Sequence, residues 1–148
     1  MAGAYIFDRK GRILLIRSPK LGNKWIVPGG HIEHGEHVLE AARREAHEET
    51  GLRVRPFGVF TVAESVSATT GNFSRRHFIY FEIICKALSS KVKLDQAEAT
   101  SYAWFSVEAA QKAVRFPVVR RVIREYTAQR RRGKVKYIEV LRQKDVKP

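Results

Sequence analysis

A chain of 148 residues and 17.0 kDa has room for one domain with a substantial core and is short for two. An apolar fraction of 44% beside 29% charged residues excludes disordered and collagen-like chains. No apolar run approaches the roughly 20 residues of a membrane span. The net charge of +13 is concentrated: residues 1–114 hold 16 Lys/Arg against 12 Asp/Glu, and residues 115–148 hold 12 against 3. That basic end favours polyanions, whether nucleic acid, an anionic surface or phosphorylated small molecules; the alternative is a solvated basic helix with no partner. No basic lead and long apolar stretch open the sequence, so a secretory signal is not expected. The one cysteine, Cys85, cannot close an internal disulfide, which points to a reducing compartment such as the cytoplasm.

Ala2–Phe7 and Arg12–Arg17 read as strands joined in a hairpin by Asp8-Arg9-Lys10-Gly11. A loop containing Pro19 and Gly22 leads to a third strand at Trp25–Val27, which Pro28-Gly29-Gly30 breaks. Nothing interrupts a helix from Glu36 to Thr50, and Gly51 stands where a left-handed cap belongs. Arg53–Val66 and His77–Leu88 read as strands on either side of a Ser/Thr/Gly/Asn-rich loop, Ser67–Arg76. Tyr102–Phe105 is the last strand and Val107–Ala113 a short helix. Pro117 suits the first turn of a final helix, whose apolar stripe is Val118, Val119, Val122, Ile123 and Tyr126. Arg120, Arg121 and Arg124 fall outside the stripe, and a homodimer contact or solubility is one reading of them beside the binding of a polyanion. With no linker and no repeat, the expectation is a single α+β domain over residues 1–148, with residues 115–148 as its basic C-terminal helical segment.

The chemistry concentrates in Gly30–Leu52, GHIEHGEHVLEAARREAHEETGL. At 100° per residue, Glu48 and Glu49 lie about −60° and about +40° from Glu45, so three carboxylates share one helix face. Leu39, Ala42 and Ala46 occupy the adjacent face. Like charges this close repel, and no Lys is interspersed to relieve them. A divalent cation would, and an all-oxygen donor set suits Mg²⁺ or Mn²⁺ rather than Zn²⁺. An acidic face can equally be solvent decoration; the spacing decides between the two.

Gly30, five residues, Glu36, seven residues, Arg44-Glu45-Ala46, one residue, Glu48-Glu49, one residue, Gly51-Leu52 resembles the Nudix box of the Nudix hydrolases, with Ala46 smaller than the usual aliphatic. Trp25–Gly29 looks like the strand leading into that box, and the order of elements resembles the family over roughly Ala2–Ala113. The resemblance implies an α/β/α sandwich with a mixed sheet between helices. It also implies hydrolysis of a phosphoanhydride bond in a nucleoside diphosphate linked to another moiety, with metal ions polarising the phosphoryl oxygens. Glu48 and Glu49 match metal ligands, Glu45 a further ligand that acts as base in some relatives, and the Gly29 carbonyl a ligand in some members. Arg44 matches the residue orienting Glu45, and Glu36 a helper near the helix start. A loop acid before the last strand is another family feature, for which Glu98 is preferred to Asp95. Gly29 and Gly30 suit close approach of a phosphate in any case.

Arg75 and Arg76 are candidates to clamp a substrate phosphate, or are solvated loop charges. Glu82, in phase with Phe78, Tyr80 and Ile84, either faces the metal cluster or pairs with a basic neighbour at a sheet edge. His31, His34 and His37 straddle a loop-to-helix transition and are expected on the surface rather than around zinc. Trp25, Phe60, Phe73 and Tyr5 are expected in the core rather than as base-stacking groups. Cys85 is expected as a small buried apolar residue. Among substrates, Pro56 comes too early for the proline of the ADP-ribose branch, and Thr69-Thr70 replace the tyrosine of the diadenosine polyphosphate branch. Nucleoside triphosphates and nucleotide-sugars remain, as small molecules without a membrane. The rival readings are an RNA-binding protein on the same fold, and a hydrolase of RNA 5′ ends using Arg130-Arg131-Arg132 and Lys134.

Overall fold

Alternation along the first strands decides the layering. In the computed structural model, which describes residues 1–66 and 77–140, β1 (Ala2–Phe7) sends Tyr5 and Phe7 to one face of a sheet and Ala4 and Ile6 to the other. β2 (Ile13–Ser18) divides Ile13 and Leu15 from Leu14 in the same way. A sheet apolar on both faces needs a helical layer on each. α1 (Val38–Thr50) covers one through Ala41, Ala42 and Ala46. α2 (Val107–Ala113) and α3 (Pro117–Arg131) cover the other through Ala110, Val119, Val122, Ile123 and Tyr126. The expected α/β/α sandwich is the observed one.

The other strands are β3 (Lys24–Ile26), β4 (Gly29–Gly30), β5 (Val54–Val66), β6 (His77–Ala87) and β7 (Ser101–Phe105). They run β3-β2-β1-β6-β5, with β4 paired to β1 and β7 to β2. The sheet is mixed because β1 and β6 are parallel, while the other pairs are antiparallel. The hairpin expected between β1 and β2 closes at Phe7 opposite Ile13. Asp8 fixes its turn by accepting the Lys10 and Arg12 amides at 2.9 and 2.8 Å. At its other end β1 pairs with β4, Ala2 opposite Gly30 and Gly3 opposite Gly29.

Two expectations about the C-terminal third are corrected. Val118 leaves the apolar stripe and is 41% exposed, because it stands about 90° from the centre of the buried arc at 100° per residue. The basic segment is not helical throughout. The helix ends at Arg131, Gly133 takes a left-handed φ of 65°, and the chain turns back along β5. There Ile138 donates its amide to the Val59 carbonyl at 2.8 Å and the Tyr137 ring covers Gly58. Residues 141–148 lie outside the described residues. No helix among the described residues is long and apolar enough to cross a membrane.

Candidate active site

α1 begins later than its pattern suggests. His37 is the extended N-cap, its amide donating to Glu40 Oε2 at 3.1 Å, so Glu36 precedes the helix rather than opening it. The helix ends at Gly51, in the expected left-handed conformation with φ 67°. Three buried alanines bring its axis close to β1 and β4, and this sets where the glutamates fall.

The three carboxylates of one helix face have three different environments. Glu48 points outward, with its side chain 56% exposed. Glu45 is half-buried, and burial pushes its carboxyl above the ordinary range against the pull of Arg44. Glu49 faces the sheet, is only 8% exposed, and accepts the Gly29 amide on Oε2 at 2.8 Å. Burial pushes it up to about 8, with the charges of Glu45 and Glu98 adding to that effect and the Gly29 amide opposing it. The glycines are dictated by this approach. A Cβ on Gly30 would overlap the Glu45 carboxylate, and one on Gly29 the Ala2 carbonyl of the paired strand.

Arg44 organises the cluster. Its Nε and Nη2 grip both oxygens of Glu36 at 2.9 and 3.0 Å, Nη1 bridges Glu45 Oε1 and Glu48 Oε2 at 2.9 and 3.0 Å, and Nη2 also donates to the His31 carbonyl at 2.8 Å. Guanidinium contact holds Glu36 below the ordinary carboxylate range. Arg44 thus stands between Glu45 and Glu48 while Glu49 turns to the Gly29 amide, and among the described residues no three acids or histidines form a ready-made ligand cluster.

Asp95 and Glu98 separate by role. The Asp95 carboxylate caps its own turn by accepting the Ala97 amide at 2.9 Å. Glu98 lies near enough to Glu49 to raise its pKa, and both its oxygens take Lys20 Nζ at 2.6 Å. Lys20 is the site residue the sequence reading missed. It sits in a three-residue turn, Pro19–Leu21, whose composition marks a loop and nothing more. Arg75, Arg76 and Phe73 lie outside the described residues. His31 and His34 are exposed and His37 caps α1. Tyr5 and Phe60 are in the core, Trp25 packs edge-on against Phe105, and Cys85 is fully buried, its thiol pushed up to about 12 by burial.

Glu82 meets neither expectation. It is 5% exposed and lies on the α3 side of the sheet, among the described residues without an ion pair. Burial pushes its carboxyl up to about 7. It borders a cavity of about 410 Å³ that also reaches Gly29 and Gly30, walled by Ile26, Pro28, Tyr80 and Val118.

The comparisons agree with this geometry. The family model of the NUDIX domain matches residues 1–126. "m7GpppN-mRNA hydrolase NUDT17" of Xenopus laevis is 31% identical over 117 residues, 70% of this chain and 40% of that protein. The chain spans well under half the length of the first curated relatives it matches. "Phosphatase NudJ" of Shigella boydii is 30% identical over 132 residues, covering 86% of this chain and 83% of that protein. Among solved structures, a Nudix hydrolase from Nitrosomonas europaea superposes with a TM-score of 0.75 at 28% identity, covering 97% and 95% of the two chains. An Ap4A hydrolase from C. elegans shares the fold, with a TM-score of 0.65 at 20% identity over 86% and 95%. Its box glutamates gather on one helix against a glycine pair, and the family model spans most of its length: this chain belongs to the Nudix hydrolase family.

Proposed function

We propose that this protein hydrolyses a phosphoanhydride bond in a nucleoside diphosphate linked to another moiety, such as a nucleoside triphosphate or nucleotide-sugar, using Mg²⁺ or Mn²⁺. The observation that carries the reading is the set Glu45, Glu48 and Glu49, organised by Arg44 beside the bare backbone of Gly29 and Gly30. The donor set fits a hard divalent cation: every candidate ligand is oxygen, the acids outnumber the single guanidinium, and buried Glu49 would be kept ionised by a cation. Glu45, Glu48, Glu49 and the Gly29 carbonyl would hold it. Bound there, it would neutralise phosphoryl charge and acidify a water.

The chain's own residues supply the rest. Gly30 leaves room for the Glu45 carboxylate against the strand. Arg44 holds Glu45 by Oε1, leaving Oε2 free to take a proton from the attacking water. Glu36 anchors Arg44 from the other side. Glu98, close to Glu49, is paired with Lys20, whose ammonium would turn to an arriving phosphate. The name of one relative, "Bis(5'-nucleosyl)-tetraphosphatase [asymmetrical]" of Mus musculus, supports a small nucleotide substrate, and "Phosphatase NudJ" supports cleavage of a phosphate bond.

A panel of nucleoside triphosphates, nucleotide-sugars and dinucleoside polyphosphates, assayed with Mg²⁺ and with Mn²⁺ and resolved by product, tests the reading. Turnover of at least one class that disappears with chelator is expected; no turnover of any member with either metal refutes it. Action at RNA 5′ ends is a second reading, favoured by the exposed Arg120, Arg121, Arg124 and Arg130–Arg132 and by the printed activity of the Xenopus relative. Capped RNA in the same panel separates the two.

A further inference from the structure

Glu82 is a charge-bearing side chain for which the fold has no use. β6 is apolar around it, Phe81 and Ile83 on one face and Ile84 beyond, and an aliphatic residue would pack there without the desolvation that burying a carboxylate involves. The chain nevertheless makes room for it. Glu82 is in register with Gly3, and a Cβ on Gly3 would stand 2.5 Å from Glu82 Oε2, so the carboxylate lies flat over a residue that has no side chain. Beside it stands the hydroxyl of fully buried Tyr5, which favours the ionised form of the Glu82 carboxyl and finds no other partner among the described residues. One hydroxyl uses a fraction of the acceptor capacity of a carboxylate, and the remainder is open to a partner from outside.

The cavity beside them is built for one. Its volume of about 410 Å³ falls in the range of small-molecule pockets. Ile26, Pro28 and Val118 give it apolar walls, and the exposure of Val118 leaves the α3 side open. Glu64 at the rim is already engaged by His77 at 2.6 Å, which leaves Glu82 as the acid on the floor. Gly29 and Glu82 flank Gly3 on opposite strands, two strand spacings or about 10 Å apart. A ribose and a base laid end to end bridge that separation, with the diphosphate at Gly29–Gly30.

We propose that Glu82 is a specificity-determining residue that reads the hydrogen-bond edge of the substrate's nucleobase, and that the base is guanine. A carboxylate offers two acceptors side by side, and guanine presents two adjacent donors, N1–H and the N2 amino group. Adenine and cytosine each place an acceptor beside their amino group, which faces a carboxylate oxygen unfavourably. The assignment rests on the nucleotide substrate proposed above and adds the base and the residue that selects it.

The test compares the wild type with Glu82→Gln and Glu82→Leu, both checked for folding by circular dichroism melts. Binding of GMP, IMP and AMP is measured by calorimetry without metal, and kcat/KM on the matching triphosphates with Mg²⁺. IMP differs from GMP only in lacking the N2 amino group. The wild type is expected to bind GMP at least about tenfold tighter than IMP or AMP, since a hydrogen bond to a charged acceptor is removed in each case. Both variants should lose that preference, and kcat/KM should follow binding. A wild type that does not prefer GMP, or folded variants with an unchanged GMP-to-IMP ratio, overturns the assignment. Selective GMP binding lost in the variants, without turnover of any triphosphate, would support Glu82 as the reader and refute the hydrolase reading alone.

Discussion

Glu49→Gln separates the electrostatic burden of the site from its use. With chelator present, the folded protein holds Glu49 protonated up to about pH 8, whereas in the unfolded chain the carboxyl ionises near 4.5. Between those values the folded state binds the extra proton, so this group makes stability fall as pH rises, the reverse of a salt-bridged acid. The interval corresponds to at most about 5 kcal/mol at 1.36 kcal/mol per pH unit. At about 2–4 °C per kcal/mol for a chain of this size, that is a difference of at most roughly 10–20 °C between pH 5 and pH 9. Glutamine keeps the shape and can still accept the Gly29 amide, but has no proton to lose. The variant should therefore match the wild type at pH 5 and melt higher at pH 9, measured by circular dichroism melts in EDTA. Added Mg²⁺ should raise the wild-type midpoint and leave the variant nearly unmoved, because a ligand that binds the folded state stabilises by mass action. Hydrolysis should fall about 10²-fold or more. Parallel wild-type and variant melting curves across the pH range would refute the reasoning.

Three further outcomes are expected. Gly30→Ala places a methyl group where the Glu45 carboxylate lies, so kcat should drop about 10²-fold with the far-ultraviolet spectrum unchanged; wild-type turnover contradicts that contact. Arg44→Lys replaces a planar fork engaging three carboxylates and the His31 carbonyl with a single ammonium, and should lower unfolding free energy by about 2–4 kcal/mol in urea titrations. A loss below about 0.5 kcal/mol would show that the network is not structural. Filter binding of RNA of increasing length at low salt should show weak binding without length dependence; affinity that grows with length and falls steeply with salt would instead make the basic end a nucleic-acid surface.

The helix, its Gly51 cap and the glutamate spacing were legible because they are local: period, cap chemistry and i,i+3/i+4 geometry are properties of one segment. What stands opposite a helix face is not local. The helical wheel puts Glu48 and Glu49 on one face with Glu45, yet it cannot tell that the Glu49 side meets the Gly29 amide while the Glu48 side meets solvent. That difference comes from three alanines drawing α1 onto β4. Lys20 was illegible for the same reason, since its partner Glu98 is 78 residues away. Glu82 carried a signal, an acid in phase with apolar residues, but not a direction, because an alternating strand in a sheet covered on both sides buries both its faces. Gly133 marks the end of α3 locally, a signal that the expectation of a helical segment over residues 115–148 passed over; the return along β5 required a vacant edge position at Val59 that no local pattern describes.

The parallel pairing of β1 with β6 has a consequence for how the protein acquires its activity. The β2 hairpin flanks β1 on one side locally, but Ala2 must find Phe81, across more than half of the chain, before β1 is flanked on both sides. Closing loops of that length delays folding relative to a protein built from local contacts. Gly3, the residue at the centre of the arrangement, receives Gly29 from one neighbour and Glu82 from the other. A nascent chain that has completed α1 therefore already carries its glutamate cluster, yet lacks the platform against which a nucleotide would rest. Docking of β6 supplies that platform, and any mutation that slows it should lower the yield of active protein without altering the kinetic constants of the molecules that complete it.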